Sequence, residues 1–240
     1  MNASLCVRVT SSNGFANVGR SSGLGFMSFH IPVMLGLVLA DFVLILVHAL
    51  LGALSVTGTI AVFPDALRID RDWGVGEVLN YAKWLALAGI SAMLFHQQKA
   101  MIFLAFANLC VIALLDDSLQ LHERYGIILT DAWLQGLKLP NGSGEIIFLA
   151  LEGAIVAGPL VYGWIVAPSP VRRQVMSLFL LLGWAIFCGV AVDFVHAQAM
   201  GGSIKAGILG IIEDGGEMIF LSLTVSHAAS LLIRARPATA

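Results

Sequence analysis

Apolar runs long enough to cross a lipid bilayer constrain this chain more than any other feature of its sequence. About 20 apolar residues are needed to cross a hydrocarbon core of roughly 30 Å, and runs of that length recur between residues 31 and 233. The sequence is 58% hydrophobic and only 12% charged, with a mean hydropathy of +0.90. Soluble domains carry about 25% charged residues. The composition therefore predicts an all-α, polytopic membrane protein, a bundle of about six transmembrane helices.

The turns between these runs are polar or contain proline. The predicted spans are Ile31–Ser55, Val75–His96, Met101–Tyr125, Glu145–Ala167, Val171–Met200 and Ile204–Ile233. Residues 1–28 are polar, which predicts a flexible N-terminal tail ahead of a single transmembrane helical domain at residues 29–236. The side that holds both termini has a modest excess of Lys and Arg. This bias predicts cytoplasmic termini, in an integral protein of the bacterial inner membrane.

The net charge limits the partners that the protein is expected to bind. At −2 the chain has no excess of Lys and Arg of the kind that binds nucleic acid, so no nucleic-acid partner is expected. The three cysteines lack metal-ligand spacing and indicate neither a disulfide framework nor a zinc ribbon. Membrane lipid and a small-molecule or ion ligand remain as expected partners, and the oligomeric state stays open.

Carboxylates are concentrated inside the predicted spans. Eleven of the 15 acidic residues lie there: Asp41, Glu77, Asp116, Asp117, Glu123, Glu145, Glu152, Asp193, Glu213, Asp214 and Glu217. With the spans running alternately up and down, nearly all of them fall in the middle to outer half of the membrane. Ionisable groups near the bilayer centre cost roughly 2.5–3.5 kcal/mol each, so they are functional by default. Only Lys83 and Arg124 are basic within the spans, so bound cations, protonation or water must offset the negative charge.

Helical spacing places these acids on one face of each span. Residues three, four or seven apart share a face, as do Asp193 with His196 and Glu213 with Glu217. Because polar groups avoid lipid, the polar stripes are predicted to converge on one carboxylate-lined chamber. In a continuous third span, His122 lies about 100° away from Glu123 and is expected to serve the adjoining loop.

This mixture of carboxylates and imidazole suits a divalent transition-metal ion, namely iron, manganese or zinc. The predicted ligands are Asp116, Glu152, Asp193, His196, Glu213 and Glu217. The predicted catalytic residues are Asp117 and Glu123, and residues expected to hold the ligands through hydrogen bonds are Gln120, Asp41, His48 and Asp214. Soluble di-iron bundles use two Glu-x-x-His motifs. Here the likeness stops at the ligand types, because the second motif is missing.

Three functions remain open. The first is a metalloprotein, plausibly an enzyme acting on a lipid-soluble substrate. The second is a cation or proton-coupled transporter that uses the same acids. The third is a b-type cytochrome with haem ligands among His48, His122, His196, His96 and His227. The third leaves the carboxylates without a role.

Two short segments carry a resemblance. Residues 115–123 read Leu-Asp-Asp-Ser-Leu-Gln-Leu-His-Glu, and residues 213–217 read Glu-Asp-Gly-Gly-Glu. The pair resembles the L-D-[DE]-x3-L-H-E and E-[ED]-x-x-E segments of uncharacterised bacterial multispanning membrane proteins. The resemblance implies a multispanning membrane fold and brings no activity with it.

Overall fold

The computed structural model describes residues 27–134, 136–137, 139–199 and 204–235, so most of the predicted tail and Arg236 lie outside the described residues. The helices are α1 (Ile31–Val56), α2 (Val75–Gln98), α3 (Met101–Leu119), α4 (Leu121–Leu129), α5 (Ser143–Val166), α6 (Ser169–Ile186), α7 (Asp193–His196) and α8 (Ile204–Ala235). A 3-10 turn spans Asp65–Leu67, and π-helical segments span Thr130–Leu134 and Phe187–Val192. The described chain contains no strand, which confirms the all-α prediction.

Within the part of the chain that the structure describes, six helices are long and apolar enough to cross a membrane, as predicted. They are Ile31–Val56, Val75–Gln98, Met101–Leu119, Ser143–Val166, Ser169–His196 and Lys205–Ala235. Their apolar side chains point outward as well as inward, as in α1, where Leu35, Leu39 and Leu46 are exposed. Side chains of this kind are stable on an outer surface when lipid surrounds it. The chain is a multispanning membrane protein.

Helix α8 is the central helix of the bundle and packs against α1, α2 and α6. Helix α3 packs on α2, and α5 packs on α3 farther from the centre. The core between α2, α3, α6 and α8 contains Phe103, Phe106, Leu178 and Leu221, all fully buried. This packing leaves α1 and α5 at the periphery and makes α8 the helix that most of the others share.

The third span ends earlier than predicted. Helix α3 stops at Leu119 because Gln120 adopts a left-handed conformation (φ 54°, ψ 45°), and α4 starts one residue later. Gln120 therefore separates two helices instead of continuing one, so the helical phase assumed for residues 121–125 is wrong. Helix α4 is not one of the six spans and packs along α5.

Both ends of the described bundle meet at one side. The His30 amide donates to the Ser226 carbonyl (3.1 Å), and the Ser28 and Ser230 hydroxyls are 3.1 Å apart. The start of α1 and the end of α8 are thereby joined. The predicted acids lie at the opposite end, where α1 and α3 finish and α2, α5 and α8 begin.

Candidate functional site: an acidic cavity

A cavity of about 440 Å³ opens at the end of the bundle away from the start of α1. Ten carboxylates line it: Asp70, Asp72, Glu77, Asp117, Glu123, Glu145, Asp193, Glu213, Asp214 and Glu217. His122 is the one basic side chain in the described lining, which contains neither Lys nor Arg. We call this space the acidic cavity. Its walls come from α2, α3, α4, α5, α7 and α8, together with the π-helical segment before α7 and the loop before α2.

Two predicted metal ligands, Asp193 and Glu213, line the acidic cavity, and a third, His196, adjoins it without being part of the described lining. His196 Nδ1 lies 2.6 Å from Glu213 Oε2. Asp193 and His196 belong to one turn of α7, and Glu213 faces them from α8. The predicted spacing of three residues between Asp193 and His196 therefore brings both to one face.

Asp116 and His122 form a second pair across the break at Gln120. The Asp116 carboxylate accepts hydrogen bonds from the His122 backbone amide and from its ring Nδ1, each at 2.8 Å. Asp116 is buried, and His122 lines the cavity. The expectation that His122 serves only the loop is wrong, because the left-handed Gln120 turns α4 relative to α3. Gln120 itself accepts a hydrogen bond from Arg124 and is not part of the lining.

Aromatic donors from α2 hold two further acids. Trp84 Nε1 donates to Asp117 Oδ2 at 2.7 Å. Tyr81 donates to Glu77 Oε2 at 2.5 Å and lies 3.4 Å from the Asp117 carbonyl. These contacts orient both carboxylates toward the cavity from a rigid helix. The polar layer predicted from the sequence includes Tyr81 in the second span but not Trp84, although each follows Glu77 at helical spacing.

Asp214 and Glu217 line the cavity from α8. Neither side chain makes a hydrogen bond within the described chain. Glu217 Oε2 approaches the backbone so closely that a Cβ on residue 189 would lie 2.7 Å from it, and Gly189 leaves that space free. Two carboxylates without protein donors leave oxygen lone pairs available for a ligand.

Asp41 and His48, predicted to support a metal site, have other partners. Asp41 is fully buried and accepts hydrogen bonds from Lys83 Nζ at 2.6 Å and from Ser222 Oγ at 2.5 Å. His48 Nδ1 accepts the Ile69 amide at 3.1 Å and so attaches the loop before α2 to α1. Both residues support the walls of the cavity without lining it. Glu152, a predicted ligand, also lies outside the lining.

Outside the spans, the electrostatic environment changes the pKa values of cavity residues in both directions. Burial alone lowers the pKa of His122, but its hydrogen bond to Asp116 and the nearby acids outweigh burial and raise this pKa to about 9. Burial and repulsion from Asp72 raise the pKa of Glu123. For Asp70, burial acts to raise the pKa, but the ion pair with Arg68 lowers it overall. His122 is therefore a proton-bearing group amid carboxylates.

The described residues contain no group of three His, Cys, Asp or Glu side chains placed to hold a metal ion. Instead, Glu77, Asp117 and Glu213 bond to Tyr81, Trp84 and His196 at separate points around the cavity. Two loop acids, Asp70 and Asp72, were missed as cavity residues from the sequence. The signal was available, since the charged string 68–72 directly precedes α2 on the acidic side of the bundle.

A model of one protein family matches residues 33–231, which include every acid of the cavity and all of the six spans except the first two residues of the first and the last four of the sixth. Its description is a domain of unknown function (DUF8692). No curated protein and no solved structure matches the chain. The chain belongs to the DUF8692 family.

Proposed function

We propose that this protein is an integral membrane protein that binds a divalent transition-metal ion, iron, manganese or zinc, in the acidic cavity and uses it to act on a lipid-soluble substrate. One observation carries the proposal: ten carboxylates surround a single cavity whose described lining contains no Lys or Arg. Carboxylates at such a density repel one another unless cations or protons offset their charge. A divalent cation is the simplest ligand that reduces this repulsion.

The wall that contains Asp193, His196 and Glu213 is the best candidate for the ligands. His196 and Glu213 are already hydrogen-bonded, Asp193 lies on the same turn of α7 as His196, and Asp214 and Glu217 line the cavity from α8 beside Glu213. A metal ion would be held by the nitrogen of His196 and the carboxylate oxygens of Asp193 and Glu213, and it would compete with protons for these groups. Its affinity is therefore expected to rise with pH.

The remaining side chains suggest how the site handles protons. His122 bears a proton at neutral pH and is oriented by Asp116. Glu123 follows it on α4 and also lines the cavity. In the proposed reaction these two groups would donate or accept protons at the substrate, and a metal ion held by Asp193, His196 and Glu213 would supply a Lewis acid. Asp117 is held by Trp84 and is the second predicted acid or base.

Metal titration of the purified protein tests the proposal. Manganese(II) binding is followed by electron paramagnetic resonance, and total metal is measured by elemental analysis. Glu213→Gln and Asp193→Asn are expected to weaken binding at least tenfold. Asp65→Asn is the matched control, since it removes one carboxylate from the neighbouring loop outside the cavity. Absence of stoichiometric metal, or an equal loss in all three variants, contradicts the proposal.

Cation transport is the second candidate, and the buried Asp41–Lys83 pair favours it. Lys83 donates to Asn80 Oδ1 and to the Met218 carbonyl, each at 3.0 Å, and both of these residues line the cavity. A charged pair thus adjoins the cavity on its inner side, and intramembrane charges of this kind mark ion pathways. Manganese(II) uptake into proteoliposomes that is abolished by Glu213→Gln supports transport over catalysis.

A b-type cytochrome gains no support from the histidines. Both ring nitrogens of His227 are engaged, Nε2 by Ser177 at 2.6 Å and Nδ1 by the Ser28 carbonyl at 2.6 Å. His122 and His196 are bonded to carboxylates, and His48 to a backbone amide. Haem ligation by His227 through Nε2 would require its contact with Ser177 to be broken, and a haem site would leave the ten cavity carboxylates without a role. The histidines instead act as hydrogen-bonding residues of the fold and the cavity.

A further inference from the structure

One buried imidazole joins three parts of the chain at the end of the bundle away from the acidic cavity. His227 lies on α8 and is 1% exposed. Its Nδ1 lies 2.6 Å from the carbonyl oxygen of Ser28, in the segment before α1. Its Nε2 lies 2.6 Å from the hydroxyl oxygen of Ser177 on α6. The segment before α1, helix α6 and helix α8 therefore meet at one side chain.

A neutral imidazole has too few protons to make every hydrogen bond in this group. The carbonyl oxygen of Ser28 can only accept, so Nδ1 has to donate to it. The Ser177 hydroxyl has one proton and lies 2.7 Å from the Gln174 carbonyl, which also can only accept. When Ser177 donates there, Nε2 has to donate to Ser177. Only the doubly protonated, cationic ring makes all three hydrogen bonds at once.

A neutral ring gives up one of these hydrogen bonds. With its proton on Nδ1, the ring keeps Ser28 and accepts the Ser177 proton, so Ser177 no longer bonds to Gln174. With its proton on Nε2, the ring keeps Ser177 and releases the Ser28 carbonyl. The Ser28 amide, 3.4 Å from Nδ1, is then the only group of Ser28 that can bond to the ring. A neutral ring therefore holds Ser28 for only part of the time.

No carboxylate compensates a positive charge on this ring. Residues 28–40, 88–115, 153–192 and 218–235, which form this half of the described bundle, contain no Asp or Glu. Arg234, on the same helix as His227, has a positive charge that acts on the ring and opposes a second one. The ring therefore gains its second proton only as the pH falls. The other ionisable side chains at this end are His30 before α1, His96 and Lys99 on α2, and Arg172 and Arg173 on α6.

We propose that His227 is a pH-sensitive latch. At acidic pH the doubly protonated ring fastens the segment 28–30 to α6 and α8, and as the pH rises the ring loses a proton and the segment loosens. The latch lies where the start of α1 meets the end of α8, so it responds to the pH on that side of the membrane. It is remote from the acidic cavity and does not depend on the proposed function.

Hydrogen–deuterium exchange of the protein in lipid nanodiscs tests the latch. Exchange is measured by mass spectrometry in a peptide that covers residues 28–34, between about pH 4.5 and about pH 8. This range includes the ordinary pKa of histidine, about 6.5, and labelling times are scaled to the intrinsic exchange rate at each pH. The scaled exchange is expected to be about twofold to tenfold slower at acidic pH, the change that one hydrogen bond produces.

Three variants separate the latch from a merely structural contact. Ser177→Ala removes the group that competes for the ring proton, so a neutral ring can donate from Nδ1 to Ser28 and exchange should be slow at every pH. His227→Phe keeps an aromatic ring but removes both hydrogen bonds, so exchange should be fast at every pH. His30→Gln removes the neighbouring titratable ring and should keep the wild-type pH dependence. Thermal unfolding shows whether each variant is folded.

Several results would overturn the latch. They are wild-type exchange that does not depend on pH after scaling, a pH dependence that persists in His227→Phe, and a pH dependence that is lost in His30→Gln. A wild-type pH dependence in folded Ser177→Ala would contradict the proton count, which does not rely on the stability of His227→Phe. Slow exchange at every pH in Ser177→Ala, together with the wild-type response in His30→Gln, supports the latch.

Discussion

Replacing Lys83 by Met is expected to destabilise the bundle strongly, because it leaves a buried carboxylate without its cation. Lys83 and Asp41 side chains are 1% and 0% exposed, with 2.6 Å between Nζ and Oδ1. At an effective dielectric constant of about 20, two charges at this separation attract by about 6 kcal/mol. Desolvation offsets part of this attraction, and removal of one partner from a buried pair costs about 3–5 kcal/mol. We expect a loss in that range.

The structure also predicts how the loss is recovered. All three Lys83 protons are used, by Asp41, Asn80 and the Met218 carbonyl, so Met fills the space but bonds none of these acceptors. The second change, Asp41→Leu, removes the uncompensated charge. Replacement of both members of a buried pair by apolar residues is often neutral. The double variant is therefore expected to be more stable than Lys83→Met alone.

The free energy of unfolding, measured by steric trapping in bicelles, checks both statements. Lys205→Met serves as the control, since it removes an exposed lysine from α8 and should change stability by less than about 0.5 kcal/mol. A cost for Lys83→Met below about 1 kcal/mol would refute the reasoning. So would a double variant whose loss equals the sum of the single losses, because additive losses mean that the two side chains do not interact.

Three further predictions concern single positions. A Cβ on Gly163 would lie 2.7 Å from Ile102 Cα, so Gly163→Ala is expected to separate α5 from α3 and lower the free energy of unfolding by about 1–3 kcal/mol. Gly153→Ala is the control, since a Cβ there would meet nothing within 4 Å and should leave stability unchanged. Thermal unfolding compares the two variants. Because the pKa of His122 is raised to about 9 in the folded protein, its contribution to stability is complete below about pH 6.5 and is lost as the pH rises through about 9. In His122→Gln the unfolding temperature should therefore depend less on pH between pH 6 and 10. Gln120 has a φ of 54°, which favours glycine and disfavours β-branched residues. Gln120→Gly should therefore be neutral or stabilising by up to about 1 kcal/mol, and Gln120→Val should be destabilising by about 1–2 kcal/mol. Equal stabilities of the two variants would show that the left-handed turn is not strained.

The bundle itself was predictable, because apolar runs of spanning length have few alternatives to transmembrane helices. The predicted first span ended at Ser55 and α1 ends at Val56; the second began at Val75, where α2 begins. The predicted end of the third span at Tyr125 was wrong, since α3 ends at Leu119. Gln120 carries no helix-breaking signal of its own, since Gln is a good helix former. Only the structure shows its left-handed conformation and the position of His122 in the lining of the cavity.

The site was predictable only in part, because the sequence indicates how deep each acid lies in the membrane but not which side chain it bonds to. Alternating helix direction and a period of 3.6 residues place Asp193, Glu213 and Glu217 at one end and on inward faces from the sequence alone. Which group bonds to which depends on the rotation and spacing of helices. Nothing in the sequence pairs Asp41 with Lys83 rather than with the cavity, because they lie 42 positions apart on different helices.

The sequence by itself determined that this protein is a multispanning helical membrane protein with an excess of acids at one end, since length, apolarity and helical phase are local properties. Only the tertiary structure decided that ten carboxylates share one cavity and that Asp41 belongs to a buried ion pair. These features arise where distant helices meet. They depend on packing between surfaces, which no local pattern of residues specifies.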